Sequence, residues 1–516
     1  MSYQQPPPPT WQQPPGPAPQ VAWQPRSSPP RPKRQRPSWP ADVWPLRRRS
    51  AASPRVLVAA VAAGAVGAVT FRIGVIGVGY AITGAALLVA GVGCSGARPS
   101  RTQVAMASGS GALLSVAGVR SAGWLVTLCV LLGLVVGSLA LLRVRTWAGL
   151  AAGSAVMVFV PARAARWAWR GLARLRVGGG SPTRAALVVG VTSLLVLSFG
   201  ALFASADPAY ANVLNAVVPY RNAAAIFGRV VAFGFVTAAA LAATYTARRP
   251  PLFDTLAPAP AATLRRWEWA TPLVVLDLLF ASFVAVQLTV LFGGRRHVLS
   301  TAGLTYAQYA RQGFWQLLAV TALTLALVAV AVRKADRANK PDRAIVRTLL
   351  GTLCVLALVI VASAIHRMST YEQAYGFTRL RVFVDGMELW LGAVLILVLI
   401  AGIRMSGSWL PPAVLASAVV AMLTLAAANP DAYIARHNVD RYDRTGQIDT
   451  AYLATLSADA FPELDRLPAG LRACALRDLA PAVRATPPDP WYDYNFDRAR
   501  ARSALAKHPV APCHSP

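Results

Sequence analysis

Few residues in this chain could do chemistry, and most of them are polar groups in apolar company. Asp277 sits between leucines in the run Pro272–Phe280. A charged side chain in hydrocarbon costs at least about 2.5–3.5 kcal/mol, so it needs a proton, a partner across a bundle, or a place in an ion path. Gln287 follows ten residues on, about 80° round a helix of 3.6 residues per turn. Both side chains can therefore face one interior cleft. An interhelical hydrogen bond that fixes packing is the plain reading, and ion-coupled transport is the sharper one.

A second polar set gathers once the apolar runs are threaded through a membrane. The outer side then carries Asp207, Tyr210, Arg229, His297, Tyr306, Tyr309, Arg311, His366 and Arg367. Glu372, Tyr375, Arg379, Arg381, Asp385, Glu388, Asn429 and Asp431 follow on the same side. Asp207 ends one run and Arg229 begins the next, so the two can pair at similar depth. The plain reading is an interfacial belt of tyrosine and snorkelling arginine. The sharper one is an outer polar vestibule for an extracytoplasmic ligand. Leu304–Leu317 reads as an amphipathic lead-in to a span, with Ala307, Ala310, Phe314 and Leu317 at helical spacing.

The familiar catalytic signatures are missing. There is no lysine-bearing phosphate loop, no His-Glu-x-x-His, no Cys-x-x-Cys and no Gly-x-Ser-x-Gly elbow. Gly93-Cys94-Ser95-Gly96 is a small-residue helix end with no mid-helix histidine to serve as its base. No catalytic residue, metal ligand or cofactor is assigned. An enzyme acting on a lipid-linked substrate stays as a third reading, with Asp207, His366, Arg379 and Asp431 as its candidates.

The elements that must position these residues are membrane helices. Hydrophobic residues make up 55% of the 516, charged residues 14%, and the mean hydropathy is +0.46. Soluble domains carry about 25% charged residues. Lys+Arg is 51 against Asp+Glu 21, a net +30. In so apolar a chain that excess reads as basic loops kept on the cytoplasmic side, and no nucleic-acid partner is implied. The partner is the lipid bilayer; ligand and oligomeric state stay open.

A span needs about 20 apolar residues. Candidates fall at 55–71, 73–94, 102–119, 122–142, 183–204, 226–246, 270–293, 313–332, 345–365, 387–404 and 410–428. The expectation is an all-α polytopic bundle of about eleven spans (10–12), since hydrocarbon forces each backbone to satisfy itself. Residues 146–161 are apolar but run into Pro161 and then Arg163, Arg166, Arg170, Arg174 and Arg176, with Trp167 and Trp169 between. If they do not span, the basic loops all share the side of the N-terminal tail. The 146–176 segment is thus expected to be interfacial or re-entrant.

Three regions follow. Residues 1–54 form a Pro/Arg-rich tail with little apolar surface to bury, expected disordered and cytoplasmic. Residues 55–428 form the membrane domain. Residues 429–516 form an extracytoplasmic tail whose leucines are spaced for short helices. Cys474 and Cys513 lie in that tail and are the one plausible disulfide pair; Cys94, Cys129 and Cys354 sit in or beside apolar runs.

Several ordered runs resemble a bacterial family of multi-pass membrane proteins. They include Phe203–Tyr210, Leu276–Phe280 with Gln287, Phe292–Gly294, Leu304–Leu317, Tyr375–Arg381, Asn429–Arg441 and Asp449–Leu464. That family is known as a domain of unknown function, under the numbers 4153 and 4173, and the resemblance covers roughly 180–502. It implies a multi-pass protein of the bacterial plasma membrane. It brings no substrate, cofactor or catalytic residue. The reading that follows is a membrane protein that senses or binds something in the envelope.

Overall fold

The computed structural model describes residues 50–178, 192–213 in part, 223–256, 264–292, 314–335, 339–485 and 489–513, apart from a few single positions. The N-terminal tail to residue 49, most of the candidate span 183–204, and Tyr306, Tyr309 and Arg311 lie outside the described residues.

Everything described is helix or connection, with one isolated bridge between Leu264 and Ala335. In chain order the helices are α1 Pro54–Thr70, α2 Gly79–Gly93, α3 Arg101–Val119 and α4 Gly123–Leu142. Then come α5 Trp147–Val156, α6 Val160–Gly178, α7 Ala223–Arg248, α8 Arg266–Phe292 and α9 Phe314–Lys334. α10 Lys340–Tyr375, α11 Arg379–Arg404 and α12 Leu410–Ala427 complete the apolar set. Local chemistry sets several starts. α1, α10 and α12 carry proline in the first turn, and α3 is opened by a capping box of Ser100 and Gln103.

Seven of these helices, α4 and α7 to α12, are long and apolar enough to cross a membrane. α1 and α2 are apolar but shorter, and α5 and α6 meet at a bend of 67°. The run 73–94 is not helical from its start. Gly74 adopts φ +84°, and the chain becomes helical only from Gly79. A Cβ at Gly77 would strike the backbone of Asp493 at 2.5 Å, so this connection is shaped by what packs upon it.

The helices pack in two groups. α8, α9, α10 and α11 bury a core around Leu353, Cys354, Ala357 and Leu395. α1 to α4, α6 and α7 share a second interior that includes Val56, Leu113, Leu125 and Ala240. α12 bridges them: Val419 packs with α3 and α4, and the Ser417 hydroxyl accepts from the α11 indole of Trp390 at 3.2 Å. α1 and α7 are nearly in backbone contact, because a Cβ at Gly67 would lie 2.5 Å from Val236. Small residues allow that approach where hydrophobic exclusion does not drive helices together.

The described helix ends sort into two faces. On one face Arg248 Nε donates to the Cys94 carbonyl at 2.6 Å, Leu264 N donates to Lys334 O at 3.0 Å, and Arg266 pairs with Asp342 at 2.5 Å. Residues 50–53 enter at that face, where Ala52 N donates to Trp167 O at 3.2 Å. The opposite face carries the α1–α2, α3–α4 and α10–α11 connections and the end of α12. α10 reaches it with length to spare: 36 residues span about 54 Å against a hydrocarbon layer of about 30 Å.

A helical cap sits on that second face. It comprises α13 Pro430–Thr445, α14 Thr450–Leu453, α15 Phe461–Leu464, α16 Ala469–Ala475, α17 Leu479–Ala485 and α18 Phe496–Lys507. Its own core holds Ile434, Ala435, Leu453, Phe461, Leu464 and Leu476. Cys474 and Cys513 form a disulfide across a sequence separation of 39.

Candidate functional site

The polar groups of the second face form a contact zone between bundle and cap, built from three short bundle connections and the acidic residues of the cap. Arg379 opens α11. Its Nε donates to Asp431 Oδ1 at 3.0 Å and its Nη2 to Oδ2 at 2.5 Å, a two-point fork on a carboxylate that is 0% exposed. Asp431 lies in the first turn of α13, where a negative charge suits the helix dipole. It accepts further hydrogen bonds from Trp124 Nε1 at 3.2 Å and from Ser457 N at 2.9 Å. The Arg379 backbone N–H donates to the Tyr452 hydroxyl at 2.7 Å. One carboxylate thus ties together α4, α11, α13 and the turn after α14. Burial alone would push the Asp431 carboxyl up, but the Arg379 guanidinium and Ser457 outweigh it and hold the group below the usual carboxylate range.

The α3–α4 connection makes the second tie. Arg120 Nη1 pairs with Asp497 at 2.9 Å, and its Nε donates to the Ala426 carbonyl at 2.8 Å. Asn495 caps α18 and its amide donates to the carbonyls of Ala117 and Arg120 at 2.9 and 2.8 Å. Ser121 gives its N–H and its hydroxyl to Asp459, the hydroxyl at 2.6 Å. Asp459 is pushed up to about 7, by burial first and then by the facing Asp497 carboxyl, with Ser121 and Ser457 pulling the other way. At the α1–α2 connection Arg72 pairs with Asp493 at 2.6 Å, and Arg498 donates to the Ile76 carbonyl at 3.0 Å.

Asp459 gives the cap a pH response whose sign can be worked out. A carboxyl with a raised folded pKa binds its proton more tightly in the docked state than in the unfolded one, so stability falls as pH rises through that window. The window runs from the ordinary value of 3.8 to about 7. Asp431 acts in the opposite sense, but only below the usual carboxylate range. Unfolding of the cap should become easier as the pH rises from 4 to about 7. In Asp459→Asn this slope should shrink. An identical slope in the variant would remove Asp459 as its cause.

The sequence-predicted residues are distributed as follows. Arg379 and Asp431 meet. Asn429 lies beside them as the N-cap of α13, with φ 52° and its side chain accepting from Ala432 N. Arg381 stacks its guanidinium over Tyr371 at 4.3 Å and donates to the Gly376 carbonyl, and Tyr375 stacks on Tyr371 at 4.9 Å. Gly376 ends α10 at φ +80°, a conformation that would strain a larger residue. His366 is exposed and accepts at its carbonyl from Ser369 and Thr370. Asp207 accepts from Ala209 N at 2.8 Å, and among the described residues no ion pair joins it to Arg229. In the interior, Gln287 Oε1 accepts from Arg367 of α10 at 2.5 Å. Asp277 is buried about 15 Å along α8 from Gln287 by the 1.5 Å rise, and neither of its oxygens has a hydrogen-bond partner.

Much of the contact zone, on the bundle as well as on the cap, was not singled out in the sequence. Ser121, Trp124, Asp459, Asp493, Asn495 and Asp497 were readable only as polar residues in short connections. The signal available was the pairing of arginines in the short loops at Arg72 and Arg120 with a tail rich in aspartate. The larger surprise is a trio of acids beside the clasp. Glu372 ends α10, and Asp385 and Glu388 stand one turn apart on α11. Glu388 is 1% exposed with neither carboxyl oxygen hydrogen-bonded, and Glu372 and Asp385 each leave one oxygen without a partner. Tyr433 and His437 of α13 lie over this region, stacked at 4.0 Å. Carboxyl groups so placed can hold protons or a cation. Among the described residues no group of histidine, cysteine and acidic side chains is arranged to hold a metal ion.

Comparison with known proteins gives one family. No curated protein and no solved structure matches the chain. A family model described as a domain of unknown function, DUF4153, matches residues 108–467. The match takes in α3 to α13 and the cap as far as Leu467, so both halves of the Arg379–Asp431 clasp fall inside it, while Asn495 and Asp497 fall beyond it. By this match, over most of its length, the chain belongs to the DUF4153 family.

Proposed function

We propose that the protein is an integral multi-pass membrane protein without catalytic activity, whose cap and outer helix ends form a ligand-sensing module in the cell envelope. In this reading residues 55–428 cross the plasma membrane about eleven times, the tail 1–54 is cytoplasmic, and 429–516 lie outside. The resemblance to the bacterial families 4153 and 4173 supports a bacterial plasma membrane. The observation that carries the reading is that Glu372 and Glu388 are buried and Asp385 is half-buried beside the cap, each with a carboxyl oxygen that lacks a hydrogen-bond partner. Unsatisfied buried polar atoms are a stability cost that structure alone does not call for. A cationic ligand group fits their chemistry.

The test uses the purified full-length chain in neutral detergent and a panel of ammonium-bearing and metal cations at fixed ionic strength. At least one cation should raise the melting temperature of the wild type. Glu388→Leu removes two orphaned oxygens and should itself stabilise the fold, by about 1–3 kcal/mol, while losing the cation response. Failure of every cation to shift the wild type, or an equal shift in the variant, would remove the sensing reading.

The carrier reading rests on a different observation. Asp277 is buried among apolar helices with no hydrogen bond to either oxygen, a setting shared by carboxylates on ion paths. Gln287 is engaged by Arg367 instead. If Asp277→Asn abolished ion or proton flux in vesicles containing a folded chain, transport would replace sensing. For a lipid-linked enzyme the support is least: Arg379 and Asp431 bond to each other, and His366 stands exposed.

A further inference from the structure

α6 is one-sided in a way the rest of the bundle is not. Ala164, Trp167, Ala168 and Gly171 form its buried face. The Trp167 ring meets Tyr245 of α7 edge-on at 5.4 Å, its carbonyl receives the Ala52 N–H, and a Cβ at Gly171 would strike the Ala52 backbone. These contacts lay α6 across the ends of α1 and α7. The other face turns Arg166, Arg170 and Arg174 outward at four-residue spacing, one above the next along a single stripe. Trp169, 60% exposed, stands beside that stripe.

Among the described residues basic groups outnumber acidic ones around the stripe. Between Asp42 and Asp207 the sequence contains no aspartate or glutamate. The nearby Asp254 is occupied by the backbone N–H groups of Arg145 and Thr146 and by the Thr146 hydroxyl. Arg248, which reaches Cys94 O, and Arg145 add to the same face of the molecule. Carrying these arginines through hydrocarbon would be costly, and the 67° bend after α5 turns α6 off that course. What remains is a helix at the water–lipid boundary with tryptophan at headgroup level and guanidinium groups beside it.

We propose that the exposed Arg166–Arg170–Arg174 face of α6 binds the headgroups of anionic phospholipids in the adjacent leaflet. Guanidinium groups form paired hydrogen bonds with phosphate oxygens, and a stripe of three matches a surface of negative charge better than a zwitterionic one. Trp169 anchors the contact by burying its ring among the acyl-chain tops while its N–H stays wet. This surface is independent of the cap and of its carboxyl groups.

The experiment titrates the detergent-purified full-length chain with phosphatidylglycerol or phosphatidylcholine and follows the melting temperature and the phospholipid retained after washing. Phosphatidylglycerol should stabilise the wild type and remain bound, phosphatidylcholine should do neither, and 0.5 M salt should erase the difference. The chain with Arg166→Gln, Arg170→Gln and Arg174→Gln should bind phosphatidylglycerol about tenfold more weakly or worse. Equal stabilisation of the wild type by the two lipids, or unchanged phosphatidylglycerol affinity in the triple variant, overturns the proposal. If the triple variant does not fold, Arg170→Gln and Trp169→Ala carry the test singly. Each must lower the affinity at least threefold, and unchanged affinity in both overturns it equally.

Discussion

Arg379→Ala should free the cap from the bundle at its centre, costing about 3 kcal/mol, the lower end of what breaking a buried ion pair costs. The lower end applies because the Arg379 side chain is 31% exposed, whereas Asp431 is fully buried. The loss comes less from the missing attraction than from what stays behind. Asp431 would keep the Trp124 and Ser457 donors but hold a buried charge with no counter-charge. The arginine backbone, which donates to Tyr452, is unaffected by the change. Adding Asp431→Asn to Arg379→Ala should therefore recover part of the stability, since the orphaned charge goes. Denaturant unfolding in detergent, combined with limited proteolysis at Arg444 and Arg484 in the cap, reads both effects. A change under about 1 kcal/mol would place Arg379 among ordinary surface pairs.

Cys474→Ser is the second large effect. The disulfide closes 39 residues of chain, and a loop of that length stabilises by roughly 3–4 kcal/mol in the chain-entropy account. The closed segment holds Asp493, Asn495, Asp497 and Arg498, which grip the α1–α2 and α3–α4 connections. Reduction should thus loosen the second and third ties while leaving Arg379–Asp431 closed. Beyond Cys474 itself, Arg472 donates to the carbonyls of His508 and Pro509 at 2.7 and 3.1 Å, so the end of the chain stays partly attached. Melting of wild type with and without reductant, beside Cys474→Ser, checks this. An unreduced wild type that melts no higher than the variant would show that the bond adds nothing.

The sequence made the helical membrane class legible because lipid leaves so few alternatives. Long apolar runs must become helices there, and the boundaries of α4, α7 and α12 lie within a few residues of the runs that announce them. It was less legible where helices meet the cap. Nothing in 73–94 tells that Gly74 to Val78 is shaped by Asp493, more than 400 positions away. The short helices of the tail were visible in leucine spacing. Nothing in their spacing tells that Asp493, Asp497 and Asp431 meet Arg72, Arg120 and Arg379.

The candidate site shows the same division. Arg379 and Asp431 stood out as polar residues on one face, yet pairing is a three-dimensional fact, 52 positions apart. Their gathering reads in sequence as an interfacial belt or a ligand vestibule, whereas their hydrogen bonds run to each other and to the cap. Glu372, Asp385 and Glu388 belong to the same outer set, and each keeps at least one carboxyl oxygen without a hydrogen-bond partner. Hydrogen bonding, which no single sequence displays, separates the two groups.

The central claim is that the cap and the face bearing residues 50–53 lie in different compartments. Single-cysteine labelling tests it directly, since Gly470 and Lys340 are both exposed, the first in the cap and the second at the opposite end of α10. Cys474 and Cys513 are bonded and Cys129 and Cys354 are buried, while Cys94 is a partly exposed free thiol and is replaced by serine in the background chain. A membrane-impermeant maleimide applied to intact cells should label Gly470→Cys at once and Lys340→Cys only after permeabilisation. Labelling of both in intact cells, or of neither, would contradict the account.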